Sequence, residues 1–267
     1  MAALQTSNRS FRMRYHTKER PDVRYLILSD MHGNWEAFEA VLRRARRKRA
    51  DVILVLGDLV GYGAAPNQVV EAVRDLGRIR IVRGNHDKVV AGIDSGGQFN
   101  ANALQAAMWT NRRLTPANLR YIRDLPQGPI EVDPGVSICH GSPLDEDSYV
   151  FSDLDAWEIF TSFPSPITFF GHTHIPSIFT YDRSGIGVRA LKGTGRIELD
   201  PKTRYLINPG SIGQPRDRDP RAAFMTYDSE RRVLRWHRVT YPIARAQERI
   251  REAGLPNSLA DRLAYGA

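Results

Sequence analysis

The stretch Val23-Arg24-Tyr25-Leu26-Ile27-Leu28-Ser29-Asp30-Met31-His32-Gly33-Asn34 carries the fold class. Its apolar core has no polar alternation, as expected for a strand buried on both faces rather than one. It ends in a polar turn containing Gly33, and residues 35–49 then place Phe38, Val41, Leu42 and Ala45 on one helical face. The pattern recurs. Further apolar runs lie at 52–56, 79–82, 136–139, 167–170 and 205–207. Helical stretches are predicted over 67–76, behind Pro66, and over 99–125 in two pieces, the second opened by Thr115-Pro116. Strand and helix in alternation argue for a layered α/β fold.

The last third reads differently. Residues 177–182 and 186–190 flank the turn Asp182-Arg183-Ser184-Gly185, and 223–227 and 233–239 flank Asp228-Ser229-Glu230-Arg231. Both read as hairpins. Parallel-type strands followed by hairpins suggest two mixed sheets packed together. Residues 243–265 read as one or two helices broken near Gly254-Leu255-Pro256. With no internal repeat or low-complexity linker, the expected organisation is a flexible basic tail (1–22), one domain (23–242) and a helical extension packed on it (243–267).

Composition narrows the class. The chain has 267 residues, 42% hydrophobic and 25% charged, which excludes a wholly disordered or collagen-like protein. No apolar run approaches the roughly 18 residues of a membrane span, and the basic N-terminus lacks the apolar core of a secretory signal. Together with the single Cys139 this fits a reducing, cytoplasmic setting. Net charge is +8, with 33 Arg against five Lys, and the densest patch spans 43–49. A basic surface attracts anions. The patch also suits the solvated C-terminal end of a helix, and no interleaved aromatics support nucleic acid.

The histidines locate the chemistry. Of seven (16, 32, 86, 140, 172, 174 and 237), five sit in polar turns just behind predicted strands. Those turns are 29–34, Gly84-Asn85-His86-Asp87, His140-Gly141-Ser142-Pro143 and Gly171-His172-Thr173-His174; Gly57-Asp58 ends another strand in the same way. In open α/β sheets ligands bind at the carboxyl ends of the strands, so these groups share one rim. A lone Asp-x-His or His-x-His is commonly a capped turn, but five such turns in series are not. Imidazole, carboxylate and amide oxygen form an N/O donor set suited to Mn, Fe, Zn, Co or Ni. Asp30, His32, Asp58, Asn85, His140, His172 and His174 are too many donors for one ion. Two divalent ions sharing a bridging carboxylate use them all, an arrangement that activates water and clamps a phosphoryl group. Cys139, on the opposite face of its strand from His140, reads as a small buried hydrophobe and not as a nucleophile. His16 and His237 receive no role.

The series D-x-H, G-D, G-N-H-[DE], H and G-H-x-H, complete and in order over roughly residues 23–240, resembles the calcineurin-like metallophosphoesterase superfamily. The resemblance implies a four-layer αββα sandwich with two central mixed β-sheets. It implies that Asp30, His32 and His174 bind one metal, that Asn85, His140 and His172 bind the other, and that Asp58 bridges. His86 would assist the leaving group while a bridging hydroxide attacks, with no covalent phospho-enzyme; Mn²⁺ is the expected metal in vitro. Protein Ser/Thr phosphatases and symmetrical diadenosine tetraphosphatases carry G-D-x-V-D-R-G, where this chain has Gly57-Asp58-Leu59-Val60-Gly61-Tyr62-Gly63. The Asp that orients the catalytic His is thus Gly61, and the phosphate-holding Arg is Tyr62. This speaks against a phosphoprotein phosphatase. Residues 57–67 and 208–216 resemble instead small bacterial and archaeal phosphodiesterase-type members, many labelled diadenosine-tetraphosphatase-like.

The expected activity is therefore phosphodiester hydrolysis on a small phosphorylated substrate such as a nucleotide or dinucleotide. A phosphomonoesterase, a nuclease or a non-catalytic scaffold on the same fold are the alternatives; His86 and the full donor set argue against the last. Arg83, Tyr62 and Arg216 are candidate substrate contacts, and the block 89–125 either caps the site or only covers sheet. No membrane partner is expected, and oligomeric state is left open.

Overall fold

In the computed structural model, which describes residues 22–267, the opening run folds as β1 (Arg24–Leu28) and leads into α1 (Trp35–Ala45). There follow β2 (Val52–Val55), α2 (Pro66–Arg74), β3 (Ile79–Ile81) and three helices, α3 (Asn85–Val90), α4 (Ala101–Arg113) and α5 (Pro116–Arg123). The chain continues through β4 (Ile130–Asp133), β5 (Val136–Ile138), α6 (Asp153–Ser162) and β6 (Ile167–Phe169). The last third holds β7 (Ser177–Asp182), β8 (Gly185–Ala190), β9 (Gly195–Glu198), β10 (Arg204–Asn208), β11 (Ala222–Asp228), β12 (Val233–Val239), α7 (Ile243–Glu252) and α8 (Asn257–Asp261).

The strands form two six-stranded mixed sheets, in the orders β3-β2-β1-β11-β12-β9 and β4-β5-β6-β10-β7-β8. β1 shows why its sequence lacks alternation. Tyr25 and Ile27 face the second sheet and share a core with Ile138, Phe169, Ile207 and Met225. Leu26 and Leu28 face the other way, onto Phe38 and Val41 of α1 and Val69 of α2. The outer face of the second sheet is covered by α6, where Ala156, Ile159 and Phe160 pack on Phe170, Phe179 and Leu206. The result is the expected αββα sandwich. Ile250 of α7 and Leu259 of α8 belong to the same core as Phe38, and Arg249 of α7 reaches Glu36 of α1 at 2.8 Å. No helix among the described residues is long and apolar enough to cross a membrane.

Several boundaries differ from expectation. Residues 46–49 do not extend α1: 46–48 form a 3-10 turn and Arg49 turns left-handed at φ 48°. The expected helix from residue 99 starts at Ala101, after a loop over 92–100 that holds Gly92 and Gly96, both at φ +73°. α3, α6, β4 and β9 were not anticipated. The expected basic tail, but for Asp22, lies outside the described residues.

Candidate metal centre

The rim forms because three turns are stitched together by backbone. Asp30 N donates to Gly57 O, His32 N to Asp58 O (2.9 Å) and Gly33 N to Leu59 O. The 208–214 loop closes over the first turn: Gly213 N donates to Asp30 O (2.9 Å), and a Cβ at Gly213 would lie 1.9 Å from Met31 O. Asp30, His32, Asp58, His172 and His174 all take φ between 48° and 65°. Non-glycine residues rarely adopt that region, and clusters of them mark functional sites. Asp87, fully buried, holds the third turn to the second by accepting from Gly84 N (3.0 Å), Leu59 N (2.9 Å) and Val60 N (3.3 Å). Burial and the neighbouring Asp58 charge lift its carboxyl to about 7.

Two groups of buried donors result. Asp30, His32, Asp58 and His174 form one, and Asp58, His140 and His172 the other. Asn85 joins the second, its Oδ1 lying 3.1 Å from His140 Nε2. Asp58 belongs to both: Oδ2 is 3.5 Å from His32 Nε2 and 3.4 Å from His140 Nε2. Its other oxygen accepts the His86 backbone N–H at 2.9 Å.

The hydrogen bonds behind the rings decide which nitrogens face inward as lone pairs. A carbonyl can only accept, so a ring nitrogen in contact with one carries the proton. His32 Nδ1 meets Val60 O (3.1 Å), His140 Nδ1 meets Leu56 O (2.7 Å), His174 Nδ1 meets Gln214 O (2.7 Å) and His172 Nε2 meets Asp147 O (3.1 Å). The remaining nitrogens converge, His32 Nε2 with His174 Nε2 at 3.0 Å and His140 Nε2 with His172 Nδ1 at 3.1 Å; His140 Nε2 also meets the Asn85 amide oxygen, so it offers a lone pair only once it has given up a proton. Asp30 Oδ2 and Asp58 Oδ2 are buried and have no hydrogen-bond partner. Converging lone pairs and orphaned carboxylate oxygens are what a cation site requires, and carbonyl-anchored imidazoles are the usual support for metal ligands.

The electrostatics agree. Burial opposes charge on Asp58, yet His140 and His86 hold it well below the usual carboxylate range. Burial pulls His172 down to about 3 and His32 well below its ordinary value. His140 is the exception. Burial opposes its charge, but Asp58 and Asp30 outweigh that and raise it to about 10. Metal-free, the cluster concentrates positive charge on that ring. The mixed N/O set of imidazoles, carboxylates and one amide oxygen fits divalent transition ions.

His86 stands apart from both groups. Its ring packs between Tyr62 (4.3 Å) and Phe99 (4.4 Å), edge-on to His32, and Nδ1 is buried without a partner. Burial depresses it to about 4. Gly61 makes room: at φ +90°, its Cβ would lie 2.4 Å from His86 Nδ1.

An open cavity lies over the cluster, lined by Asn85, His86, Tyr62, Phe99, Tyr149, Lys88 and Arg216. The 94–103 segment contributes a wall, so the block after the third turn does cap the site. Arg216 lies over the Tyr62 ring at 5.9 Å and bonds Gln214 Oε1 (3.0 Å), leaving Nε buried and unpartnered. Arg83 is absent from the lining. Glu146 grips it through two oxygens (2.8 and 3.0 Å) and Gln127 takes a third bond, so it is not free for phosphate. Lys88, one helical turn beyond Asn85, reaches the cavity instead, paired with Asp147. Its place after the Asn-His-Asp turn was the signal that could have found it. Cys139 lies in the core under α6, its thiol pushed up by burial.

Comparison with known proteins agrees with this architecture. The family model for the calcineurin-like phosphoesterase superfamily domain matches residues 23–231. An uncharacterized protein of Methanocaldococcus jannaschii, MJ0912, is 37% identical over 90% of this chain and 97% of its own length. A crystal structure of a metallophosphoesterase from Sphaerobacter thermophilus superposes with a TM-score of 0.82 at 38% identity, covering 92% of this chain and all of that one. The hypothetical protein PH1004 of Pyrococcus horikoshii shares the fold, with a TM-score of 0.76 at 20% identity over 92% of this chain and 99% of its own. Two packed mixed sheets, the donor-bearing turns at their carboxyl edge and these matches lead to one assignment: the chain belongs to the calcineurin-like phosphoesterase superfamily.

Proposed function

We propose that this chain is a dinuclear metal-dependent phosphodiesterase. Asp30, His32 and His174 hold one ion, Asn85, His140 and His172 hold the other, and Asp58 is shared. The observation that carries this reading is Asp58 Oδ2, unpartnered and nearly equidistant from an imidazole of each group (3.5 and 3.4 Å). Two divalent ions bound there supply Lewis-acid charge for the phosphoryl oxygens and activated water at neutral pH; Mn²⁺ fits the donors, as do Fe, Zn, Co and Ni.

The chain's own residues do the rest. Arg216 lines the cavity and orients the phosphate by charge-assisted hydrogen bonds, with its guanidinium over the Tyr62 ring. His86 lines the cavity outside both donor groups and passes a proton to the departing oxygen. A bound phosphate beside it opposes the burial that keeps it neutral. Phe99 and Tyr62 hold the ring against drift.

Diesters are favoured over monoesters on charge. Tyr62 stands where phosphatase relatives place an Arg, Lys88 is neutralised by Asp147 and Glu146, and Arg83 by Glu146. Among the described residues that leaves Arg216 as the guanidinium that lines the cavity without a carboxylate partner, better matched to a monoanionic diester than to a dianionic monoester. The test is hydrolysis of bis(p-nitrophenyl) phosphate and p-nitrophenyl phosphate by metal-free protein before and after adding Mn²⁺. Metal-dependent turnover greater on the diester is expected. Turnover favouring the monoester refutes the diester assignment.

A further inference from the structure

Exposed apolar side chains that form a contiguous patch, unlike singly scattered ones, mark a binding surface. Here Tyr149 is 46% exposed and Phe151 56% exposed, in the loop between β5 and α6. They are not loose. The Tyr149 ring stacks on His172 (3.9 Å between centroids, 23° between planes), and Phe151 stacks on Tyr149 (5.1 Å, 13°). Three near-parallel rings thus run from an inward-facing histidine of the cluster, past the cavity wall that Tyr149 lines, to solvent.

The backbone beneath the stack is anchored at both ends. Ser142 N donates to Ser148 O (3.1 Å), and a Cβ at Gly141 would sit 2.6 Å from Ser148 O, so the loop packs tightly on that glycine. At the far end Phe151 N and Ser152 N both donate to Asp155 Oδ2, in the capping box that starts α6. A hydrophobic residue just before such a cap normally staples inward onto the fourth helical residue, here the buried Ala156. Phe151 turns outward onto Tyr149 instead.

We propose that the Tyr149–Phe151 ring pair is the subsite for a nucleobase, which makes the substrate a nucleotide ester. This rests on the phosphodiesterase reading for the phosphate end only. Tyr149 is stacked between His172 (3.9 Å) and Phe151 (5.1 Å), so the face left for a base is the outward one of Phe151. Stacking on a pre-ordered ring pair loses little conformational freedom and tolerates any base, because every base has a π-face. Gln98, exposed on the cavity wall, adds an amide of the kind that pairs with a base edge.

The experiment uses two diesters with the same leaving group, thymidine 5′-(p-nitrophenyl) phosphate and methyl p-nitrophenyl phosphate, on Mn²⁺-loaded protein. It is paired with calorimetric binding of AMP and of ribose 5-phosphate. Wild type is expected to bind AMP on the order of 10-fold or more tighter than ribose 5-phosphate. Phe151→Ala, which does not touch His172, is expected to erase that difference. It should also raise KM for the thymidine ester about 10-fold more than for the methyl ester, with Phe151→Trp restoring the preference. Equal binding of AMP and ribose 5-phosphate by wild type overturns the subsite while leaving the phosphodiesterase reading intact. Absence of turnover on both esters defeats that reading instead, and the AMP comparison still decides the subsite. If Phe151→Ala dissociates an oligomer and slows both esters alike, the rings are an interface between copies and the proposal falls.

Discussion

Gly61→Ala separates proton transfer from metal binding. Gly61 sits at φ +90°, a conformation that costs a side-chain-bearing residue about 1–3 kcal/mol. The new Cβ would also lie 2.4 Å from His86 Nδ1 and 2.9 Å from Cγ. Ordinary contact begins near 3.4 Å, so the imidazole must withdraw by about 1 Å. A displacement of that size at a reacting group costs on the order of 100-fold in rate. Gly61 approaches none of the seven donors in the same way, its nearest neighbours being atoms of His86. Gly61→Ala should therefore lower kcat on bis(p-nitrophenyl) phosphate about 100-fold, with metal content per chain unchanged after desalting. At about 2–4 °C per kcal/mol for a chain of this size, the melting temperature should fall by several degrees. The assay is kinetics beside elemental analysis and a thermal melt. Activity within about threefold of wild type, or loss of activity together with loss of metal, refutes the assignment of His86 as a group that acts apart from the ions.

Arg216→Met should raise KM for the diester about 10- to 100-fold, the worth of a charge-assisted hydrogen bond, and should weaken inhibition by inorganic phosphate in parallel. An unchanged KM would remove Arg216 from the phosphate site. Arg83→Met, by contrast, breaks a surface-proximal pair with Glu146 and should leave KM within about threefold, because the guanidinium never reaches the cavity. His237, 7% exposed on β12, is pushed down to about 4 by burial and by Lys48, Arg44 and Arg235. Its folded value lies below the unfolded 6.5, so the unfolded chain binds the extra proton between those limits. Stability from this group is present above pH 6.5 and is lost as pH falls towards 4, by about 2–3 kcal/mol. Urea unfolding of wild type and His237→Gln across that window should show a shallower acid slope in the variant; parallel slopes would rule the group out.

The sandwich was legible because burial on two faces leaves a mark that composition cannot imitate. Tyr25 and Ile27 serve one core and Leu26 and Leu28 another, so no polar residue could alternate with them. The donor turns were legible for a related reason: each follows a strand, and strand ends converge whatever the details of packing. What escaped depends on partners remote in sequence. β9 is a four-residue edge strand whose Gly195-Arg196-Ile197-Glu198 earns its conformation by pairing with β12. Arg83 is diverted by Glu146, 63 residues away. Two misses were readable locally. Ser152 and Asp155 spell a capping box for α6, and Gly92 and Gly96 mark the loop that separates α3 from α4. Phe99 and Tyr149 carry no such signal; only the assembled cavity shows them beside His86 and His172.

The most direct test of the account is metal stoichiometry coupled to turnover, in wild type and Asp58→Ala. Metal-free wild type titrated with Mn²⁺ should take up two ions per chain and gain diesterase activity only as the second binds. Asp58→Ala, which removes the carboxylate shared by His32 and His140, should retain at most one ion and no measurable turnover. One ion per active wild-type chain, or an Asp58→Ala protein that still binds two and hydrolyses the diester, would contradict the shared-carboxylate centre.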